Sequence, residues 1–70
     1  MKLPSEIDIS SSEWSKLIDE WILSERDRAI LKRRLIDGIY YEPLANEFNL
    51  SVQRTKEIVA EGKKRLFRHI

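Results

Sequence analysis

The chain has 70 residues, of which 41% are hydrophobic and 36% charged, with a formal net charge of +1 and no cysteine. A chain of this length holds one small domain, burying only about 60% of its unfolded surface and leaving little room for an enclosed catalytic cavity. The composition excludes a disordered polymer, a disulfide scaffold and a thiolate metal site, and no apolar run approaches the ~18 residues that span a bilayer.

The small net charge hides a gradient. Residues 1–25 carry two basic and six acidic side chains, residues 26–50 five and four, and residues 51–70 six and two. The basic character gathers at the C-terminal end, where a nucleic-acid contact is to be sought. After Met1 and Lys2 the sequence meets Pro4, Glu6 and Asp8 instead of an apolar core. No secretion signal is therefore expected, and a cytoplasmic location is.

Residues 1–9 show no periodicity and are expected to form an N-terminal arm, with residues 10–70 forming the domain. Ser10, Ser11 and Ser12 are candidate N-caps, and Ser10 with Glu13 has capping-box spacing. Trp14, Leu17, Ile18, Trp21 and Ile22 recur at helical spacing, while Glu13, Lys16, Asp19 and Glu20 occupy the other side. The pattern predicts a first helix over about 12–23. Ser24 can cap the next, with Asp27 three residues on, and Ile30, Leu31 and Leu35 make its stripe. Asp37-Gly38 stops it, giving a second helix over about 25–36. Pro43 is tolerated only in the first turn of a third helix, predicted at about 41–48 with Leu44, Ala45 and Phe48 inward. Asn49-Leu50-Ser51 is then a turn. Ser51 caps a fourth helix over about 52–68, with Thr55, Ile58, Val59, Gly62 and Leu66 inward.

The last two helices meet the requirements of a helix-turn-helix. Such a unit needs a small residue at the helix crossing, a turn residue that accepts positive φ, and apolar residues at fixed offsets. Ala45, Asn49, and the set Leu44, Phe48, Leu50 and Ile58 supply them. Thr55 has the right β-branched shape, but its hydroxyl then needs a backbone partner. The fold class is thus all-α: a small four-helix domain with a C-terminal helix-turn-helix.

The stretch from Ser24 to Leu66 resembles region four of bacterial sigma factors. An "ER-x-R-x-x-L" opening is matched by Glu25, Arg26, Arg28 and Leu31, and a later arginine by Arg34. The acidic-glycine turn is matched by Asp37 and Gly38, and the aromatic start of the next helix by Tyr41, Leu44 and Ala45. The "S-x-x-T-V-K" opening of the recognition helix survives as Ser51 and Lys56, with Arg54 and Thr55 between. Pro43 stands where an acidic residue is usual, and Arg33 where an apolar one is frequent. The resemblance implies a single promoter-reading domain of the kind shared by small phage or mobile-element regulators, without the DNA-melting region two of a complete sigma factor. RNA polymerase is the partner it implies.

The outward face of helix four is Gln53, Glu57, Ala60, Glu61, Lys64 and Arg68, flanked by Arg54 and Lys56. Ser51, Gln53, Arg54, Lys56 and Glu57 are the candidate base readers. Gln53 suits adenine, Arg54 guanine, and Glu57 the N4 amine of cytosine. Lys63, Lys64 and Arg68 suit phosphates, as does Tyr41 at the start of helix three. Tyr40 and Tyr41 fit packing against the turn equally well.

Elsewhere ordinary roles prevail. Trp14 and Trp21 share one stripe; core packing accounts for them, and any surplus area makes a homodimer contact. Phe67 falls on the outer side of helix four, and His69 at a helix end. An ion pair of Arg34 with Glu47 is compatible with the spacing. The acidic polar face of helix one opposes an anionic membrane. There is no glycine-rich phosphate loop, nucleophile–base pair or metal-ligand cluster, so no enzyme, metal or cofactor is expected. Two functions remain: double-stranded DNA binding in transcription, or an adaptor of the same fold that binds polymerase or another regulator.

Overall fold

The computed structural model describes residues 10–69. They form four α-helices: α1 Ser11–Trp21, α2 Glu25–Leu35, α3 Tyr41–Glu47 and α4 Val52–Phe67. No strand occurs among the described residues. The arm expected over residues 1–9 lies outside them. No helix here is long and apolar enough to cross a membrane. Each helix stops one or two residues short of its expected end.

Local chemistry starts three of the helices. The Ser10 hydroxyl accepts from the Glu13 amide at 3.2 Å, and the Glu13 carboxylate accepts from the Ser10 amide, a complete capping box. Ser24 caps α2 through the Asp27 amide, and Ser51 caps α4 through the Arg54 amide. Such a cap contributes about 1 kcal/mol. α1 ends at Trp21, and Ile22 is already extended, yet Ile22 remains in the core. Its carbonyl and that of Leu23 accept hydrogen bonds from Arg28 Nη1 at 2.9 and 3.1 Å. An arginine from the following helix thus satisfies the carbonyls at this junction.

The core is one cluster of Ile18, Ile22, Ile30, Leu31, Leu44, Ile58, Val59 and Leu66, with contributions from all four helices. Trp14, Leu17, Leu35, Ile39, Tyr41, Phe48 and Leu50 pack around it, partly buried. Burying one such aliphatic side chain contributes about 1.5–3 kcal/mol. α4 packs against each of the other three helices. Gly62 permits its close approach to α2: a Cβ there would lie 2.6 Å from Leu31 Cδ1.

Expectations for the periphery are corrected at three points. Glu47 pairs with Arg33, at 2.9 Å, and not with Arg34. Arg34 instead donates to the Ile39 carbonyl and lies 4.2 Å over the Tyr41 ring. Phe67 packs on Trp14, ring centroids 6.3 Å apart, although it remains 44% exposed. His69 stacks on Trp21 at 3.5 Å and 1° between planes. The two tryptophans are therefore covered in part by the end of α4.

Candidate nucleic-acid interface

The turn between α3 and α4 sets the geometry of the site. Asn49 has φ 57°, the left-handed conformation that asparagine tolerates better than most residues. Around it the Leu50 amide donates to the Ala45 carbonyl at 2.9 Å and the Asn49 amide to the Asn46 carbonyl at 3.2 Å. These two bonds form a Schellman motif, which closes α3 and turns the chain sharply. Ala45 is 2% exposed, a small side chain in tightly packed surroundings. Thr55 is fully buried, and its Oγ1 donates to the Ser51 carbonyl at 2.9 Å, the backbone partner its hydroxyl needs.

With Thr55, Ile58, Val59, Gly62 and Leu66 turned inward, the opposite face of α4 is left to solvent. Gln53, Lys56, Glu57, Ala60, Glu61, Lys64 and Arg68 are all exposed. Gln53, Glu57, Ala60 and Lys64 follow one another at helical spacing and make a single strip. Arg54 lies on one flank, beside a groove of about 210 Å³ lined by Ile22, Leu23, Leu31, Ile58 and Arg65 among others. Lys56 lies on the other flank, its Nζ 5.7 Å from the Tyr41 ring centroid.

The structure differentiates the candidate residues. Ser51 has its hydroxyl engaged by the Arg54 amide at 3.0 Å, so its first role is to cap α4. Arg54 does not extend freely: its Nη1 lies 3.3 Å from Glu57 Oε1. Tyr41 is half-buried, its ring between the Arg34 guanidinium and Lys56. Lys63 is half-buried, whereas Lys64 and Arg68 are exposed. Successive helical residues point about 100° apart, which separates Lys63 from the strip containing Lys64.

Two residues absent from the sequence-derived set matter to the architecture of the site. Arg34 reaches from α2 to the first residue of α3, adding a second cation, beside Lys56, at the Tyr41 ring. Arg33 ties α2 to α3 through Glu47, with Asp37 at 3.5 Å as a second partner. The hydrogen bond to Glu47, followed by its charge, pushes the Arg33 guanidinium pKa further up. A raised pKa leaves the Arg33 guanidinium charged throughout the physiological range, so Arg33 does not make this link a physiological pH switch. The spacing suggests Arg34 for Glu47, and the placement of α3 gives Glu47 to Arg33 instead.

Among the described residues no group of three His, Asp or Glu side chains is placed to hold a metal ion. The chain matches no family model, no curated protein and no solved structure.

Proposed function

We propose that this chain is a DNA-binding helix-turn-helix module, resembling sigma region four, that acts in bacterial or phage transcription. One observation carries the reading. A short helix, a Schellman turn at Asn49 and a capped longer helix leave Gln53, Lys56, Glu57, Ala60 and Lys64 on one solvent-facing side of α4. In this mode the N-terminal part of the second helix meets base edges in the major groove, and cations around it hold phosphates. Ala60, in the middle of the strip, adds no bulk that would keep the helix from the groove. Gln53, Arg54 and Glu57 are the base readers; Lys64 and Arg68, with Lys56 and Tyr41 at the other end, are the phosphate contacts. Lys63 contributes from its half-buried flank.

A single unit with a few phosphate contacts binds non-specifically at only about 10⁻⁴–10⁻⁶ M. Specific work then calls for a second reader, either polymerase or a second copy meeting the seam of Trp14, Trp21 and Phe67. The test is fluorescence anisotropy on a duplex selected from a random library and on a scrambled one, at several salt concentrations. Gln53→Ala is expected to cost about 1–3 kcal/mol on the selected duplex and much less on the scrambled one. Lys64→Ala or Arg68→Ala should weaken both alike and reduce the salt slope by about one. Wild-type protein with no salt-dependent binding to any duplex would refute the reading and leave the protein-binding adaptor in its place.

A further inference from the structure

We infer that Glu57 determines specificity by holding Arg54, so that α4 closes on DNA only where neighbouring base pairs offer a guanine to Arg54 and a cytosine amine to Glu57. The inference rests on the DNA reading proposed above and adds that the Arg54–Glu57 pair couples the two base contacts and restrains Arg54 elsewhere.

The charges along α4 divide sharply. Residues 52–61 hold Arg54 and Lys56 against Glu57 and Glu61, and so are electroneutral. Residues 62–69 hold Lys63, Lys64, Arg65 and Arg68 with no acid. A helix that only gripped phosphates would have no use for carboxylates in its leading half, because each opposes the polyanion. Glu57 is central in the exposed strip, and its carboxylate takes the Arg54 guanidinium at 3.3 Å, both side chains about half exposed (50% and 49%).

This pair can exchange partners without leaving either side chain without a hydrogen-bond partner. At the right step Arg54 leaves Glu57 for the O6 and N7 acceptors of guanine, and Glu57 accepts from cytosine N4. Residues at i and i+3 are offset along the helix by only about 4.5 Å and share a face, so two side chains of this length can reach neighbouring base pairs. At a step that turns a guanine or thymine edge toward it, Glu57 finds no amine donor. Arg54 then either stays with it or abandons a carboxylate facing phosphates. The ion pair therefore holds back Arg54 from indiscriminate phosphate contact.

The experiment uses the same anisotropy assay on wild type, Glu57→Gln, Glu61→Gln and the double variant Arg54→Ala/Glu57→Gln. Glu61→Gln removes the same charge from the same helix without touching the Arg54 pair, and controls for net charge. Its effect should be equal on selected and scrambled duplexes. Glu57→Gln should tighten binding to the scrambled duplex roughly fivefold, the worth of about one unit charge near contact in water. Its salt slope should steepen by up to about 0.9 as Arg54 is freed for phosphate. Its preference for the selected duplex should fall about tenfold or more, and adjacent G·C pairs should fade from the sites it selects. In the Arg54→Ala background the gain in salt slope should vanish. If Glu57→Gln matches Glu61→Gln, with the preference for the selected duplex unchanged, the inference is overturned while DNA reading stands. Binding of no duplex by wild type would overturn both.

Discussion

Replacing Gly62 with alanine tests the packing that sets α4 against α2. The added Cβ would meet Leu31 Cδ1 at 2.6 Å, Cδ2 at 2.7 Å and Cγ at 3.1 Å. Leu31 is fully buried but also lines the groove beside Arg54, so its methyls must shift either against core neighbours or toward that groove. Two effects oppose each other. Alanine in place of glycine inside a helix favours folding by about 1 kcal/mol. Overpacking a filled core costs about 1–3 kcal/mol. The net expectation is a loss of up to about 2 kcal/mol, a large share of the ~4–10 kcal/mol that a chain of this length commands. Leu31→Val supplies the discriminating background, since it removes Cδ1 and Cδ2, the two closest atoms, and leaves only a carbon at the 3.1 Å Cγ position. There Gly62→Ala should stabilise, by up to about the 1 kcal/mol of propensity. Urea denaturation followed by circular dichroism, run as a double-mutant cycle, measures the coupling directly. Equal stabilisation by Gly62→Ala in both backgrounds would show that the helices do not meet this closely, and would refute the reasoning.

Further perturbations bear on the turn, the junction and the seam. Asn49→Ala should cost about 1–2 kcal/mol because alanine resists positive φ, while Asn49→Gly should stay within about 0.5 kcal/mol; equal losses in thermal melts would count against a left-handed turn. Thr55→Val should change stability by less than about 1 kcal/mol, since the Ser51 carbonyl keeps the Thr55 amide at 3.0 Å as a partner. A loss above about 2 kcal/mol on urea denaturation would mean the hydroxyl matters in its own right. Arg28→Met should cost about 1.5–3 kcal/mol, because two carbonyls lose a charged donor, and hydrogen exchange should show the end of α1 fraying. If the aromatic seam joins two copies, Trp21→Ala should reduce self-association in sedimentation; an unchanged monomer at high micromolar concentration in both proteins would point to a different second reader.

Much of the architecture was legible because it is local. The capping box of α1, the serine caps of α2 and α4, the apolar stripes of α1 and α4, and the stop at Asp37-Gly38 depend on residues close to one another along the chain. Such signals survive without knowledge of the fold. Asn49 belongs with them, since few residues other than glycine sit comfortably at φ 57°. Helix ends were less legible. α1 stops at Trp21 although Ile22 continues its stripe, and the arginine that satisfies the junction comes from the next helix.

By itself the sequence determined most of the residues that turn inward, and hence which side of α4 faces solvent; Trp21, on the apolar stripe of α1 and expected in the core, is instead 38% exposed. Periodicity answers that question, because 3.6 residues per turn assigns every side chain a direction about its own axis. Only the tertiary structure decided what each direction meets. Arg33 and Arg34 point about 100° apart on α2, and the placement of α3 gives Glu47 to the first and Tyr41 to the second. Phe67 lies outside the inner stripe of α4, yet it packs on Trp14 because the end of α4 lies against α1. A helical wheel has no information about crossing angles. Crossing angles come from how side chains interlock across helices, and at the α2–α4 contact that turns on the absent Cβ of Gly62 against Leu31.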